Sequence, residues 1–148
     1  MTVAFTGHRD VRDPNGVYDC LKMTLKDLIL KGADTFICGG AVGFDTLAAT
    51  AVLELREQYP IRLVLAIPCE GQDAKFSPAM KTSYAQIRAA ADEEVVLYPY
   101  YQRGCMHSRN RYMVDHCDLL VAYCHKLTGG TAYTVDYAKE QGKEIVNL

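Results

Sequence analysis

Two glycine-rich segments carry the residues of this sequence best suited to bind an anion, because each follows an apolar run and opens a helical pattern. They are Cys38-Gly39-Gly40-Ala41-Val42-Gly43-Phe44-Asp45 and Thr128-Gly129-Gly130-Thr131. A glycine at a strand-to-helix turn lets backbone N–H groups approach a ligand, and the helix that follows presents unpaired N–H groups and its positive dipole end. The two segments therefore predict a pocket for phosphate, or for a nucleotide that carries it.

Arginine and histidine residues are concentrated in two further segments, which contain His8, Arg9, Arg12, Arg103, His107, Arg109 and Arg111. The planar guanidinium group bonds phosphate or carboxylate oxygens in pairs. We expect Arg9 to swing over the sheet edge from the small-residue exit Thr6-Gly7-His8, and Arg109 to point at the pocket while Asn110 bonds neighbouring backbone. Replacing Arg109 by alanine should then abolish binding and leave the fold intact.

The order of the glycines excludes two common nucleotide-binding motifs. Gly39 to Asp45 runs Gly-Gly-Ala-x-Gly-Phe-Asp, which is not G-x-G-x-x-G, and no P-loop Gly-Lys-Ser/Thr follows. Gly43 alternatively admits close packing, Thr131 alternatively caps a helix, and Asp45 either caps the second helix or accepts a ribose hydroxyl. The histidines and cysteines show no recognised ligand spacing, so no metal site is predicted.

Short apolar runs without polar alternation predict six strands, as in a parallel sheet covered on both faces. The runs are Val3-Ala4-Phe5, Thr35 to Cys38, Leu63 to Ile67, Val95 to Tyr98, Leu119 to Tyr123 and Ile145-Val146. Apolar residues with a 3.6-residue period predict five helices between them. The alternation indicates a single α/β domain over residues 1–148, a doubly wound, mainly parallel Rossmann-like sheet of about six strands with helices on both faces, whose carboxyl-terminal edge binds ligands.

Composition favours a compact globular protein, with 49% hydrophobic and 23% charged residues. No signal-peptide pattern begins the sequence and no apolar stretch is long enough to span a membrane, so we expect a cytoplasmic protein without a membrane partner. A net charge of −2 argues against a chain-wide footprint for nucleic acid. A homo-oligomer is compatible with the size of the chain, although no surface for it is identified.

Four motifs together resemble the YpsA-like branch of the SLOG superfamily over nearly the whole chain. They are Thr6-Gly7-His8-Arg9, Gly39-Gly40-Ala41-x-Gly43-Phe44-Asp45 with Ala48-Ala49, Arg109-Asn110-x-x-Met113-Val114-Asp115, and Gly129-Gly130-Thr131 with Tyr137-Ala138. That superfamily joins the DNA-processing protein DprA, the LOG phosphoribohydrolases and predicted nucleotide sensors on a Rossmann-like sheet. The resemblance implies a nucleotide pocket lined by Gly7, Arg9, Gly39, Gly40, Gly43, Arg109, Asn110, Gly129, Gly130 and Thr131.

The second glycine loop departs from the hydrolase pattern Pro-Gly-Gly-x-Gly-Thr-x-x-Glu. Alignment on Gly130-Thr131 places Thr134 at the glutamate, whereas alignment on Gly129-Gly130 places Asp136 there. Asp136 is therefore a candidate catalytic carboxylate. Glu70, at the exit of the third strand, and Asp45 are the other candidates.

Three functions remain open at this point. The leading hypothesis is a module that binds or senses a nucleotide or an ADP-ribose-like derivative, without a required cofactor. The second is a nucleoside-monophosphate N-glycosidase that uses a carboxylate. The third is DprA-like binding of single-stranded nucleic acid, which usually needs a basic groove with stacking aromatic residues. The predicted ligand-binding residues are Thr6, Gly7, His8, Arg9, Gly39, Gly40, Ala41, Gly43, Asp45, Arg109, Asn110, Thr128, Gly129, Gly130 and Thr131.

Overall fold

A computed structural model describes residues 1–148 as one six-stranded sheet with five helices. All strand pairings are parallel. The strands are β1 (Thr2–Gly7), β2 (Thr35–Cys38), β3 (Arg62–Cys69), β4 (Glu93–Tyr98), β5 (Leu119–Tyr123) and β6 (Glu144–Asn147). The predicted strand runs and the parallel α/β fold are confirmed.

The helices connect successive strands and are α1 (Pro14–Leu30), α2 (Phe44–Leu55), α3 (Pro78–Ala90), α4 (Cys105–Asp115) and α5 (Gly130–Glu140). Local chemistry explains two of the starts. Asp13 accepts a hydrogen bond from the N–H of Gly16 before Pro14 begins α1, and Ser77 accepts one from Met80 before Pro78 begins α3. Proline suits the first helical position because its N–H would be unpaired there.

The strand order is β4-β3-β2-β1-β5-β6. The chain moves outward from β1 to β4, and α4 then carries it back across the sheet to β5 on the other side of β1. The order of the strands therefore reverses between β1 and β5. Ligands of open parallel sheets bind in the crevice outside the carboxyl ends of the strands at such a point.

Two apolar cores lie on opposite faces of this sheet. The larger one contains Val3 and Phe5 of β1 packed with buried residues of α1, α2 and α3, and the smaller one contains Ala4 with buried residues of α4 and α5. Successive strand residues point to opposite faces. Helices therefore cover both faces, as predicted, and none of them is long and apolar enough to cross a membrane.

Candidate functional site

A cavity of about 530 Å³ lies outside the carboxyl ends of β1 and β5, on the side of the sheet that α4 and α5 cover. Most of the predicted ligand-binding residues line it: Thr6, Gly7, His8, Arg9, Ala41, Asp45, Arg109, Asn110, Thr128, Gly129, Gly130 and Thr131. Gly39, Gly40 and Gly43 are not among its lining residues. The cavity thus collects residues from the exits of three strands, β1, β2 and β5, and from three helices, α2, α4 and α5, at the point of strand reversal.

The exit of β1 is bonded to the exit of β5 through His8. The ring Nε2 of His8 accepts a hydrogen bond from the backbone N–H of His125 at 2.9 Å, and the carbonyl of His8 accepts one from Phe44 at 3.1 Å. Burial, with the neighbouring Lys126 and His125, lowers the pKa of His8. A neutral imidazole that accepts at Nε2 carries its proton at Nδ1, so His8 offers one further donor.

Packing by itself requires glycine at positions 7 and 43. A Cβ on Gly7 would lie 2.3 Å from the ring of Phe44, and a Cβ on Gly43 would lie 2.1 Å from the carbonyl oxygen of Arg9. Gly43 also has φ +80°, a backbone region that other residues rarely adopt. The structure thus shows at Gly43 the close packing that the sequence analysis gave as the alternative to ligand contact.

Gly39 makes room for the side chain of Arg109. A Cβ on Gly39 would lie 2.7 Å from Nη1 of Arg109 and 3.0 Å from Oδ2 of Asp45. Gly40 is buried with φ +73°, and a Cβ there would lie 3.1 Å from the ring of Tyr84. The first glycine segment therefore mainly leaves space for a buried arginine and a buried carboxylate.

Arg109 is buried and bonded to the protein around it. Its Nη1 donates to the carbonyl oxygen of Gly39 and also contacts the carbonyl of Ala66 at 3.4 Å and Oε1 of Gln72 at 3.3 Å. Burial lowers the pKa of Arg109, and the nearby charge of Asp45 opposes this change. We expected alanine at this position to leave the fold intact, but the structure now predicts a loss of stability, because the change would leave Oε1 of Gln72 without its donor.

Asn110 is hydrogen-bonded to the same buried arginine. Its Oδ1 accepts a hydrogen bond from Nε of Arg109 at 2.9 Å, so it positions a side chain rather than the neighbouring backbone that the sequence suggested. The pair occupies the first turns of α4, and Met106 and His107, at the start of the same helix, also line the cavity.

Asp45 is the buried carboxylate of the cavity, with 6% of its surface exposed. Oδ2 accepts a hydrogen bond from the N–H of Ala41 at 3.1 Å, while Oδ1 has no hydrogen-bond partner and is not sealed from solvent. Asp45 does not cap α2, whose N-cap is Gly43 without a side-chain bond. Burial raises its pKa to about 6, although the charge of Arg109 and the bond from Ala41 act against that rise.

The second glycine loop is open where the first is packed. Gly129 is the N-cap of α5, Gly130 is its first residue, and a Cβ on either would meet no atom within 4 Å. Thr131 lines the cavity and makes no capping bond. The first N–H groups of α5 therefore face the cavity without a side chain in front of them.

The other two candidate catalytic carboxylates lie outside the cavity. Glu70 is exposed and bonded to Arg88, with Oε1 and Nη2 3.0 Å apart, and Asp136 is exposed on α5. No group of three or more His, Cys, Asp or Glu side chains is arranged to hold a metal ion. Of the three carboxylates, the structure brings only Asp45 to the predicted ligand-binding residues.

Six cavity residues were not predicted as ligand-binding: Phe5, Asp10, Met106, His107, Met113 and Lys126. Lys126 precedes the second glycine loop by two residues and supplies an exposed cation at its rim. His107 stacks on Tyr133 with ring centroids 4.2 Å apart. Two signals in the sequence could have identified cavity residues. Lys126 lies in a strand exit, and His107 lies two residues before Arg109.

Comparison with known proteins gives the same family as the motifs. The model of the YspA SLOG family (YpsA) matches residues 8–146. Two curated relatives are the UPF0398 protein ABC2016 of Shouchella clausii, 36% identical over 78% of this chain, and the SPbeta prophage-derived protein YoqJ of Bacillus subtilis, 32% identical over 82% of this chain. The alignments cover 64% and 80% of those proteins, respectively.

Two solved structures share the fold. DNA processing protein A of Helicobacter pylori, whose single-stranded DNA binding mode was described, aligns with a TM-score of 0.73 over 99% of this chain and 64% of its own, at 18% identity. The X-ray structure of TM1055 aligns with a TM-score of 0.64 over 97% of this chain and 71% of its own, also at 18% identity. Because the family model spans nearly all of the residues that carry the sheet and the cavity, this chain belongs to the YpsA family of SLOG proteins.

Proposed function

We propose that this chain binds a nucleotide or a nucleotide derivative of the ADP-ribose kind, with a phosphate group at the start of α5. The observation that carries the proposal is the open second glycine loop, which presents the N-terminus of α5 to a cavity at the point of strand reversal. Helix N-termini bind anions through unpaired N–H groups and the positive end of the helix dipole. The exposed side chains of Arg9 and Lys126, on the same cavity, add two cations.

The rest of the cavity suits the other parts of a nucleotide. The free Oδ1 of Asp45 can accept a hydrogen bond from a ribose hydroxyl. His107, held flat against Tyr133, offers a planar surface at the rim, and bases stack readily on such surfaces. Arg109 holds the first glycine segment in shape in this proposal, because its Nη1 donates to Gly39 and its Nε to Asn110, whereas Nη2 contacts only the sulfur of Met106 at 3.9 Å.

Binding is tested by a thermal-shift panel of AMP, ADP, ATP, NAD, ADP-ribose and cyclic nucleotides, followed by calorimetry of the active class. A ligand at about a hundred times its dissociation constant adds roughly 2.7 kcal/mol, or about 5–10 °C for a domain of this size. No shift with any member, confirmed by calorimetry, would overturn the proposal.

Two substitutions locate the phosphate. Gly130→Val should abolish binding and preserve the fold, because its side chain enters open space in front of α5. Lys126→Ala should weaken binding about tenfold, whereas the matched control Lys139→Ala, at the far end of α5, should leave it unchanged. Equal losses in the two lysine variants would show that net charge, rather than this cavity, governs the affinity.

N-glycosidic hydrolysis is the second candidate, and Asp45 is the observation that favours it. A buried carboxyl with a pKa of about 6 in a ligand-sized cavity suits general acid–base chemistry near neutral pH. Incubation with nucleoside monophosphates should then release free base, and Asp45→Asn should stop the release while nucleotide binding persists. Absence of free base after prolonged incubation with the nucleotide that binds best would leave binding as the function.

Single-stranded nucleic acid is the third candidate, since the H. pylori relative in fold is described as binding single-stranded DNA. Binding of this kind falls steeply with salt because phosphate contacts release counterions. A gel-shift titration of oligonucleotides at low and high salt tests it. Failure to shift any oligonucleotide at low salt would eliminate it.

A further inference from the structure

A second cavity, of about 630 Å³, lies beside the first. It is lined by His8, Asp10, Arg12, Tyr123, His125 and Lys126. Three of these residues, His8, Asp10 and Lys126, also line the first cavity. The two cavities therefore adjoin across the exits of β1 and β5, and the nucleotide site proposed above occupies only one of them.

Hydrogen bonds between the two loops hold the walls of this second cavity in place. His8 accepts the N–H of His125 at 2.9 Å, and the N–H of Arg12 donates to the hydroxyl of Tyr123 at 3.3 Å. Both donors are backbone groups, so the side chains of Arg12 and His125 take no part in these bonds. A cavity formed in the absence of ligand requires less ordering when a ligand binds.

The lining suits a planar group that carries negative charge. The ring of Tyr123 lies 4.7 Å from that of His125 and 5.7 Å from that of His8, measured between centroids, and both pairs meet edge to face. Arg12 and Lys126 supply cations and Asp10 supplies one anion. Aromatic rings stack on bases and arginine binds phosphate, whereas a lining with three charged groups is unsuited to an apolar tail.

The position of the cavity in the fold also favours a planar, negatively charged ligand such as a nucleotide unit. Doubly wound sheets built from two mononucleotide-binding halves bind dinucleotides across the crevice where the strand order reverses. Here the reversal lies between β1 and β5, and the two cavities flank the loops that leave these strands.

We propose that the second cavity receives the second nucleotide unit of a two-unit ligand, whose first unit has its phosphate at α5. This inference rests on the proposed nucleotide binding and specifies its ligand as two nucleosides joined through phosphate. The linkage is either a pyrophosphate or a phosphodiester, and both bring a second base and negative charge to Arg12 and Lys126.

Calorimetry with three probes tests the inference: AMP, NAD with a pyrophosphate linkage, and 5′-phosphorylated adenylyl-adenosine with a phosphodiester linkage. We expect one of the two-unit probes to bind at least tenfold more tightly than AMP. The double variant Arg12→Ala/His125→Ala should remove that gain and leave AMP affinity unchanged, because it keeps both backbone bonds and the first cavity. Arg103→Ala, an exposed arginine that lines neither cavity, is the matched control.

The outcomes separate this inference from the proposed function. Equal affinity for AMP and both two-unit probes, or a gain that survives the double variant, overturns the second site while nucleotide binding stands. Affinity that keeps rising with oligonucleotide length beyond two units, with a steep salt dependence, also overturns it in favour of a nucleic-acid strand. No binding of these three probes or of any member of the nucleotide panel overturns both proposals.

Discussion

Nη1 of Arg109, a residue that lines the cavity, donates a hydrogen bond to the carbonyl oxygen of Gly39, so the first turns of α4 are joined to the exit of β2. The two residues are 70 positions apart in the sequence. Gly39 lacks the Cβ that would occupy the guanidinium position, and Arg109 in turn satisfies a buried carbonyl. The geometry of the candidate site therefore depends on a buried cation that is also part of the core.

Replacing Arg109 by alanine should destabilise the fold as well as the site. Removing one member of a buried charged network costs about 3–5 kcal/mol, because partner groups are left without compensation. Urea unfolding should show a lower midpoint for Arg109→Ala, and Arg109→Lys should recover part of the loss. A variant that unfolds like the original protein yet binds no nucleotide would instead mean that Arg109 contacts the ligand directly.

Asp45 should make stability depend on pH in a way that asparagine removes. Its pKa is raised from 3.8 to about 6 in the folded chain, so between these values the folded state holds a proton that the unfolded state has lost. The carboxyl then lowers stability as pH rises from about 4 to 6, by about 3 kcal/mol in total. The free energy of unfolding of the original protein, relative to Asp45→Asn, should fall by this order across that range.

Asparagine also leaves Arg109 without a nearby carboxylate. The comparison therefore concerns how the difference in the free energy of unfolding between the two proteins changes with pH. Only the change with pH carries the test. Parallel stability curves from pH 4 to pH 7 would show that the pKa of Asp45 is the same in the folded and unfolded chains.

Gly43→Ala should be far more damaging than Gly142→Ala. Both glycines have positive φ, +80° and +70°, and Gly43 also has ψ −121°, which lies outside the left-handed helical region that other residues can adopt. Gly142 has no atom within 4 Å of an added Cβ, whereas at Gly43 the Cβ would overlap the carbonyl oxygen of Arg9. Chemical denaturation of the two variants measures the difference in their free energies of unfolding, and equal losses would contradict the prediction.

Lys126→Ala should raise the pKa of His8. The cation of Lys126 is one of the groups that lower this pKa, after burial and together with His125. An NMR titration of the His8 ring follows the change directly, with Lys139→Ala as the matched control. An unchanged titration midpoint in Lys126→Ala would show that the Lys126 ammonium group is too far from His8 or too well screened to act on it.

The elements of the fold were predictable because each carries a local signal. The strand runs, such as Leu119 to Tyr123, are continuously apolar, which is what burial on both faces of a parallel sheet demands. Helix α5 begins at Gly130 and its residues after the glycine loop follow the helical period. Such patterns depend on neighbours in sequence, so they can be recognised before the chain is folded.

The roles of individual site residues were less predictable. Gly39, Gly43 and Gly129 look alike in the sequence, yet Gly39 faces the side chain of Arg109, Gly43 faces the backbone of Arg9, and Gly129 faces open space. Asp45, Glu70 and Asp136 were equivalent as carboxylates, and only the packing of α2 brings one of them to the cavity. Each distinction rests on atoms that are distant in sequence.

By itself, the sequence determined that six strands alternate with five helices and that the glycine-rich exits meet at one edge, because right-handed crossovers orient all parallel strands alike. Only the tertiary structure decided that β5 lies beside β1. That placement joins His8 to His125 over 117 positions and opens a cavity on either side of their loops. The physical reason is that strand order and buried contacts follow from how whole helices pack on the sheet, whereas local propensity and periodicity specify each element only within itself.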